Sequence, residues 1–268
     1  MAQGNPFAAG PTSFPGPSPR PFANFGRYFG TGFQVYFQRW QDWLLPMLVS
    51  AAVSLAALCC CYLPYFFVVG PMVCGLYGCA LETLRGRPIS TGTLWRGWPA
   101  AWSSMAAWLA VSLLCVLPML LAYVLPMVAW FTMAATLGDA GQRGRPPEPA
   151  DALVMVLMLG GFALMMFGLV LATAWTFWLS TRTMFILPLI ADRRLDFLTA
   201  WRWSWETTRS GFWELLLLNF VAGLIGGLGM YACYVGVIFT LPIYYTIVAV
   251  AYQDRFAWDA ATPQGPAS

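Results

Sequence analysis

The chain is dominated by four long windows that contain no Asp, Glu, Lys or Arg. They are residues 43–81, 97–138, 152–181 and 215–253. A helix needs about 20 apolar residues to cross the hydrocarbon core of a bilayer, and each charge at its centre costs about 2.5–3.5 kcal/mol. The pattern therefore predicts an all-α, multi-span membrane protein. The composition agrees, because 59% of the residues are hydrophobic and 9% are charged.

The lengths of these windows predict a bundle of about six transmembrane helices. The first and last windows each fit two spans joined by a tight turn, and residues 152–181 fit one span. Residues 97–138 fit either one long span, kinked at Pro118 and Pro126, or two short spans. With one long span, the six segments are roughly 44–61, 65–83, 102–127, 153–178, 213–230 and 234–253.

The arginines decide between the two alternatives. The chain has no Lys and no His, so all 14 basic residues are Arg. A single crossing by residues 97–138 places 12 of these 14 on one side of the membrane and leaves only Arg143 and Arg145 opposite. Two crossings would split them more evenly. Because positively charged segments stay in the cytoplasm, we favour six spans with both termini cytoplasmic. The small net charge of +3 forms no basic stripe, so no nucleic-acid partner is expected.

Composition divides the chain into three regions. Residues 1–26 are rich in Pro, Gly, Ala and Ser and have no apolar period, so we predict a disordered cytoplasmic tail. Residues 27–258 form the membrane domain, with a polar outer loop at 139–151. Residues 259–268 are predicted to be a second, short disordered tail.

Two aromatic segments on the arginine side are typical of helices lying in the headgroup layer. Apolar residues recur there at spacings of three and four, with charged residues such as Arg209 on the other side of the second helix. We interpret them either as membrane anchors or as a docking face for a partner. The residues concerned are Phe29, Phe33, Phe37, Trp40 and Leu44 in the first segment, and Leu198, Trp201, Trp205, Thr208 and Phe212 in the second.

The two halves of the chain follow a similar order. Each has an aromatic amphipathic helix, then a Trp, two spans and a charged exit. The interval from Trp43 to Pro71 is 28 residues, and that from Trp213 to Pro242 is 29. Both hairpins enter the membrane from the same side, so this order predicts a weak parallel internal repeat.

Few residues in the apolar windows have side chains that perform chemistry. With no His in the chain, we predict no catalytic residue, no cofactor and no metal site. Arg182 is the one candidate functional charge, because the uncharged run 183–191 follows it. If the fourth span is shifted to about 165–190, Arg182 lies inside the bilayer and marks a site. If the span ends near Trp178, which we favour, Arg182 is a boundary residue whose charge reaches water.

Small residues and one amide are candidates for helix packing. Gly223 and Gly227 form a GxxxG spacing in the fifth span, which lets two helices approach closely, either within the chain or between copies in a homo-oligomer. Asn219 is expected to form a hydrogen bond between helices. A disulfide near the outer surface is a further alternative for Cys59, Cys60, Cys61 and Cys233.

The chain resembles a large superfamily of bacterial membrane proteins, and most of the matching motifs lie in its second half. The segment ILPLIADRRLDFLTAWRWSWETTRSGFWELLLLNF is followed by a Gly-rich span and by GVIFTLPIYYTIVAVAYQDRF. The superfamily pattern has a Pro before a short charged turn, an Ala-x-x-x-Ser helix, Thr-Arg, a Trp that opens the next span, and a closing Pro and Ala-Tyr-x-Asp. Matching positions are Ala200, Ser204, Thr208, Arg209, Trp213, Pro242, Ala251, Tyr252 and Asp254.

That superfamily includes the membrane domain fused to some glycerophosphodiester phosphodiesterases. The resemblance covers most of residues 25–258 and implies a six-span helical fold in the bacterial inner membrane, but it brings no catalytic residues. We therefore expect a non-enzymatic scaffold or regulatory membrane component, in contact with lipids and with a second copy or another membrane protein. The alternative is a small permease for an apolar or lipid-like solute, with the parallel hairpins lining the path.

Overall fold

The computed structural model describes residues 25–60, 62–95, 98–142, 149–231 and 236–256. Within these ranges the chain is 91% helical and contains no strand. Six of the helices are long and apolar enough to cross a membrane. The predicted all-α polytopic bundle with six spans is therefore confirmed. Both predicted tails lie outside the described residues, apart from Phe25 and Gly26, which begin the first helix.

Ten α-helices follow one another in the described residues, with a 3₁₀ turn at Trp98–Ala100 before the fifth. The helices that could span a membrane are α2, α3, α5, α6, α9 and α10, and α6 continues into α7 within one apolar stretch. The bounds are α1 Phe25–Gln38, α2 Trp40–Cys60, α3 Tyr62–Leu84, α4 Thr91–Trp95, α5 Ala101–Gln142, α6 Pro149–Thr183, α7 Ile186–Arg193, α8 Phe197–Thr207, α9 Phe212–Tyr231 and α10 Val237–Arg255.

Helices α3 and α10 form the centre of the bundle. Cys74 and Cys79 on α3 and Val248 and Ala249 on α10 are fully buried, whereas α5 and α6 expose most of their large apolar side chains. Tyr77 on α3 lies edge-on against the ring of Tyr245 on α10, with centroids 4.9 Å apart. The successive pairs α2–α3, α5–α6 and α9–α10 pack closely as hairpins around this centre.

Two glycines of α3 allow the backbone of the following segment to approach closely. A Cβ atom on Gly75 would lie 2.1 Å from the carbonyl oxygen of Leu94, and one on Gly70 would lie 2.8 Å from the carbonyl oxygen of Ser104. Helix α4 is thereby packed against the middle of α3 rather than at its end. The chain between α3 and α5 thus returns into the bundle before α5 begins.

The structure differs from the sequence-based expectations mainly at helix ends. Helix α5 continues to Gln142 and α6 begins at Pro149, so both reach into the predicted outer loop. Pro149 suits this start because the first turn of a helix has no intrahelical bond for its missing N–H to break. At its other end α6 continues to Thr183, and the short helix α7 begins within the uncharged run and ends at Arg193.

The two predicted interfacial helices are also shorter than expected. Helix α1 ends at Gln38, so Trp40 belongs to α2. Helix α8 ends at Thr207, and Arg209 lies in the turn before Gly211, whose φ of 82° is the left-handed conformation that glycine adopts readily. The order α1–α2–α3 and α8–α9–α10 follows the predicted repeat, but α1 packs on α10 and α8 packs on α5, α6 and α7. The repeat itself stays a prediction.

Candidate functional site

All ten arginines that the structure describes lie at one end of the bundle, which we call the arginine-rich face. They come from the ends of α1, α3, α6, α7 and α10, from α8 and from the turns between these helices. They are Arg27, Arg39, Arg85, Arg87, Arg182, Arg193, Arg194, Arg202, Arg209 and Arg255. This clustering agrees with the uneven distribution of arginines from which six spans were predicted.

Helix α1 is attached to the end of α10 by two charged contacts. Arg27 forms an ion pair with Asp254, and the hydroxyl of Tyr28 donates a hydrogen bond to the other oxygen of the same carboxylate. Burial, together with the bond to Asp254, raises the pKa of Tyr28 well above its usual value. Tyr28 therefore stays protonated at neutral pH and acts as a donor.

A second group of contacts joins α3, α7 and α10 around Asp192. This carboxylate of α7 forms an ion pair with Arg85, which follows α3, and accepts a hydrogen bond of 3.0 Å from the hydroxyl of Tyr252 on α10. Glu82 at the end of α3 pairs with Arg87. Beside them lies a cavity of about 170 Å³, lined by Cys74, Gly78, Glu82, Arg85, Asp192 and Arg194.

Arg182 is held differently from the arginines around it. Its guanidinium carbon lies 4.7 Å from the ring centroid of Phe212, 5.3 Å from that of Trp205 and 5.8 Å from that of Trp178. Its Nε and Nη1 atoms are buried and have no hydrogen-bond partner among the described residues. Its backbone carbonyl accepts the hydroxyl of Ser204, which fixes α8 beneath it.

Asn219 links three helices inside the bundle. Its side-chain nitrogen donates to the hydroxyl of Ser180 at 2.9 Å and to that of Thr181 at 3.3 Å, both on α6. Its side-chain oxygen accepts the hydroxyl of Tyr244 on α10 at 3.1 Å. Nearby, a second cavity of about 170 Å³ is lined by hydroxyl and apolar groups, among them Tyr77, Trp108, Ser112, Ser180, Thr183 and Tyr244.

The predicted aromatic stripes lie partly on the surface of the bundle. Phe37 is 61% exposed and Trp40 is 39% exposed, and Phe33 stacks on Phe37 with ring centroids 6.1 Å apart. Trp201 and Trp205 stack at 6.2 Å on the flank of α8. These side chains form two separate patches, one at the α1–α2 junction and one beside Arg182.

The predicted packing role of Gly223 and Gly227 is wrong within a single chain. A Cβ atom at either position would meet no atom within 4 Å, because this side of α9 points away from the bundle. The close approach to α10 is made instead by Gly226 and Gly229. A Cβ atom on Gly226 would lie 3.3 Å from the Cβ of Tyr244, and Gly229 lies against Gly236. A contact between copies through Gly223 and Gly227 stays a prediction.

The sequence analysis did not single out the pairing of Asp192 with Arg85 and Tyr252, nor that of Asp254 with Arg27 and Tyr28. Tyr252 and Asp254 belong to the matched Ala-Tyr-x-Asp pattern, and that pattern was the available signal. Of the four cysteines for which a disulfide was an alternative, only Cys59 has a described side chain, and it is free and exposed. No three His, Cys, Asp or Glu side chains of the described part of the chain are grouped closely enough to hold a metal ion.

Six apolar helices with their arginines at one end define a multi-pass α-helical membrane protein. Residues 157–253 match the family model described as the membrane domain of glycerophosphoryl diester phosphodiesterase. This match extends from α6 to α10 and confirms the resemblance inferred from the sequence. No curated protein matches the chain significantly, and neither does any solved structure.

Proposed function

We propose that this protein is a non-enzymatic scaffold or regulatory component of a bacterial inner membrane, with both termini in the cytoplasm. Its partner is a second copy of the chain or another membrane protein. The observation that carries the proposal is that charged side chains of the arginine-rich face bond to other parts of the same chain. Arg27, Arg85 and Arg87 form ion pairs, and Arg39 donates to the backbone carbonyls of Gly86 and Arg87.

These bonds favour a structural role because most of them connect separate helices. A reacting centre needs polar groups that are free to meet a substrate, whereas these groups are occupied by one another. The result is a braced platform from which aromatic side chains project. Trp95, Trp98 and Trp102 are exposed there in addition to Phe37 and Trp40. Exposed aromatic residues are enriched both in interfaces between proteins and in the headgroup layer.

Site-specific photo-crosslinking in native membranes tests the proposal. A photoreactive amino acid at Phe37 should give a discrete protein adduct, which mass spectrometry identifies as a second copy or another protein. The matched control is Phe162 on α6, which is similarly exposed. It precedes Arg182 by several turns of the same helix and therefore lies far from the arginine-rich face. Phe162 should give lipid adducts alone. Lipid adducts alone at Phe37 as well would contradict a docking role for this patch.

A small permease for a neutral or lipid-like solute is the second candidate. The cavity beside Asn219 supports it, because hydroxyl groups line the cavity alongside apolar side chains. Its size of about 170 Å³ suits a small solute. Replacing Ser112 by Trp should fill the cavity and stop uptake of such a solute into proteoliposomes, whereas the same change at exposed Leu113 should not. Equal uptake by both variants and by empty liposomes would contradict transport.

A further inference from the structure

Arg182 differs from the ion-paired arginines of the arginine-rich face in how its buried donors are satisfied. The buried Nε and Nη1 atoms of Arg182 are unpartnered, whereas Arg27 and Arg85 are paired with Asp254 and Asp192. Leaving buried donors of a charged group unsatisfied is unfavourable. The aromatic rings around Arg182 attract its positive charge but accept no ordinary hydrogen bond. The site therefore lacks a hydrogen-bond acceptor, and a negatively charged acceptor fits best.

A second positive charge lies beside the first. Arg209 lies in the turn that joins α8 to α9, between Trp205 and Phe212, whose rings are the two nearest to the Arg182 guanidinium. Two neighbouring guanidinium groups with planar arrays of N–H donors match the oxygens of a phosphate better than those of a neutral ligand.

An apolar groove begins next to this pair of arginines. It has a volume of about 330 Å³ and runs between α6 and α9, lined by Phe177, Trp213, Leu216, Leu217 and Phe220. Phe177 lies about one helical turn above Arg182, and Trp213 follows the Phe212 ring that covers Arg182. Trp213 is 78% exposed, so its ring borders the groove on the outside. A charged end and an apolar continuation are the two features of a phospholipid.

We propose that Arg182 and Arg209 bind the phosphate of an anionic phospholipid headgroup, and that the groove between α6 and α9 holds one of its acyl chains. The tryptophans Trp178, Trp205 and Trp213 place this site at the level of the headgroups, where such side chains accumulate. The scaffold or permease role is independent of this site. The site gives the protein a means of sensing the anionic lipid content of one leaflet.

Native mass spectrometry of the purified full-length protein tests the site. The probes are phosphatidylglycerol, phosphatidylcholine, diacylglycerol with matched acyl chains, and inorganic phosphate. The wild type should retain phosphatidylglycerol preferentially. Arg182→Gln should lower its retention by about tenfold, the size expected for loss of charge-assisted hydrogen bonds. Arg202→Gln is the matched control on the same face and should bind as the wild type does.

Thermal unfolding separates loss of binding from loss of folding. Phosphatidylglycerol should raise the melting temperature of the wild type but not that of Arg182→Gln, which without lipid should melt no lower than the wild type. Competition by millimolar inorganic phosphate would show a soluble anion as the ligand and overturn the lipid assignment. Equal retention of phosphatidylglycerol and phosphatidylcholine by the wild type would overturn the site itself, whatever the variants do.

Discussion

Asn219 shows how one polar residue organises an apolar interior. The amide lies in the middle of α9, where water is absent, and it reaches hydroxyl groups on two other helices. Each such bond within a membrane protein contributes about 0.6 kcal/mol on average. The whole cluster therefore contributes little to the free energy of folding, but its hydrogen bonds form only in one relative orientation of the helices. It fixes how α9 is rotated relative to α6 and α10.

Replacing Asn219 by Leu should lower the free energy of unfolding by about 1–2 kcal/mol, because three hydrogen bonds are lost together. Thermal unfolding in detergent measures the change. Thr173→Val is the control, since the Thr173 hydroxyl bonds only to the carbonyl of Leu169 on its own helix. Equal stability of the Asn219 variant and the wild type would show that the cluster does not hold these helices together.

The close approach of α4 to α3 depends on a single missing side chain at Gly75. An Ala here would place a carbon 2.1 Å from the Leu94 carbonyl oxygen, so the backbone of α4 must move. We expect Gly75→Ala to destabilise the fold by about 1–3 kcal/mol, the usual cost of overpacking. Gly160→Ala, which meets no atom within 4 Å, should leave the melting temperature unchanged or higher. Similar melting of the two variants would contradict this account.

Single residues could be selected from the sequence, but their partners could not. Arg182 stood out because an uncharged run flanks it, and Asn219 because it is an amide within an apolar window. The rings of Trp205 and Phe212, which surround Arg182, come from α8 and α9. Only the fold brings them to the end of α6, so no local pattern predicts this arrangement.

Helix α8 begins at an N-cap that the chain encodes locally. Asp196 has an extended backbone, and its carboxylate accepts the backbone N–H of Thr199 at 3.1 Å. Hydrogen bonds donated by Thr199 hold the pKa of Asp196 below its ordinary value of 3.8. The cap fixes the start of the helix that carries Trp201 and Trp205. The geometry around Arg182 therefore depends on it.

Asp196→Ala should destabilise the protein by about 0.5–2 kcal/mol at neutral pH, as loss of an N-cap usually does. Since the pKa of Asp196 is lowered on folding, the ionised cap stabilises the folded state above about pH 4. Part of that stabilisation is lost as the pH falls through the pKa of the folded state. Asp196→Asn keeps an acceptor without titrating. Denaturation at about pH 5 and about pH 3 should therefore show a smaller pH effect in Asp196→Asn than in the wild type, and an equal effect would refute the cap's role.

The amphipathic pattern of helix α1 does not show which side of the helix packs against the bundle. The sequence predicted a stripe of Phe residues that anchors the helix in the headgroup layer or docks a partner, and the side buried against the bundle is a different one, made of Tyr28, Gly32 and Tyr36. A Cβ on Gly32 would lie 2.7 Å from a side-chain carbon of Ile247, so the glycine lets α1 pack directly on α10. Phe37 remains on the surface. In a membrane, an apolar stripe can face lipid, so hydrophobicity alone does not identify the side of a helix that contacts the rest of the protein.

Over the whole molecule, the uneven distribution of charge is the feature that the sequence predicted best. A charge is excluded from the hydrocarbon core wherever it lies in the chain, so the number of spans follows from counting apolar windows. Packing between spans obeys no such rule, because lipid is as apolar as a neighbouring helix. The short helix α7 was missed for this reason. It is buried through Ile186, Leu189 and Ile190, and its first six residues lie within the uncharged run 183–191.

The orientation of the bundle is open to direct measurement. A variant that keeps Cys59 as its only cysteine should react with a membrane-impermeant maleimide added outside spheroplasts, since Cys59 is exposed at the end away from the arginine-rich face. A cysteine-free background carrying Arg202→Cys should react only after the membranes are opened. The reverse labelling pattern would place the arginine-rich face outside and contradict the positive-inside rule for this chain.

The α5–α6 hairpin is longer than the hairpins beside it. Its helices have 42 and 35 residues, whereas α9 has 20. Asn219 on α9 meets Ser180 on α6, so the outer end of α9 at Tyr231 lies near the level of Gly168, which faces Ala122 on α5. Beyond that level each helix of the hairpin continues for about 20 residues, or about 30 Å.

A bilayer that matches the shorter helices cannot also match this hairpin. Its outer half is apolar and would extend past the hydrocarbon layer, which is a hydrophobic mismatch of about one bilayer thickness. Pro118 and Pro126 stand on either side of Ala122, where the hairpin leaves the bundle and where proline weakens a helix against bending. We expect these parts of α5 and α6 to fold over along the leaflet farther from the arginine-rich face. The thickness and tension of that leaflet would then act on the bundle through the bend.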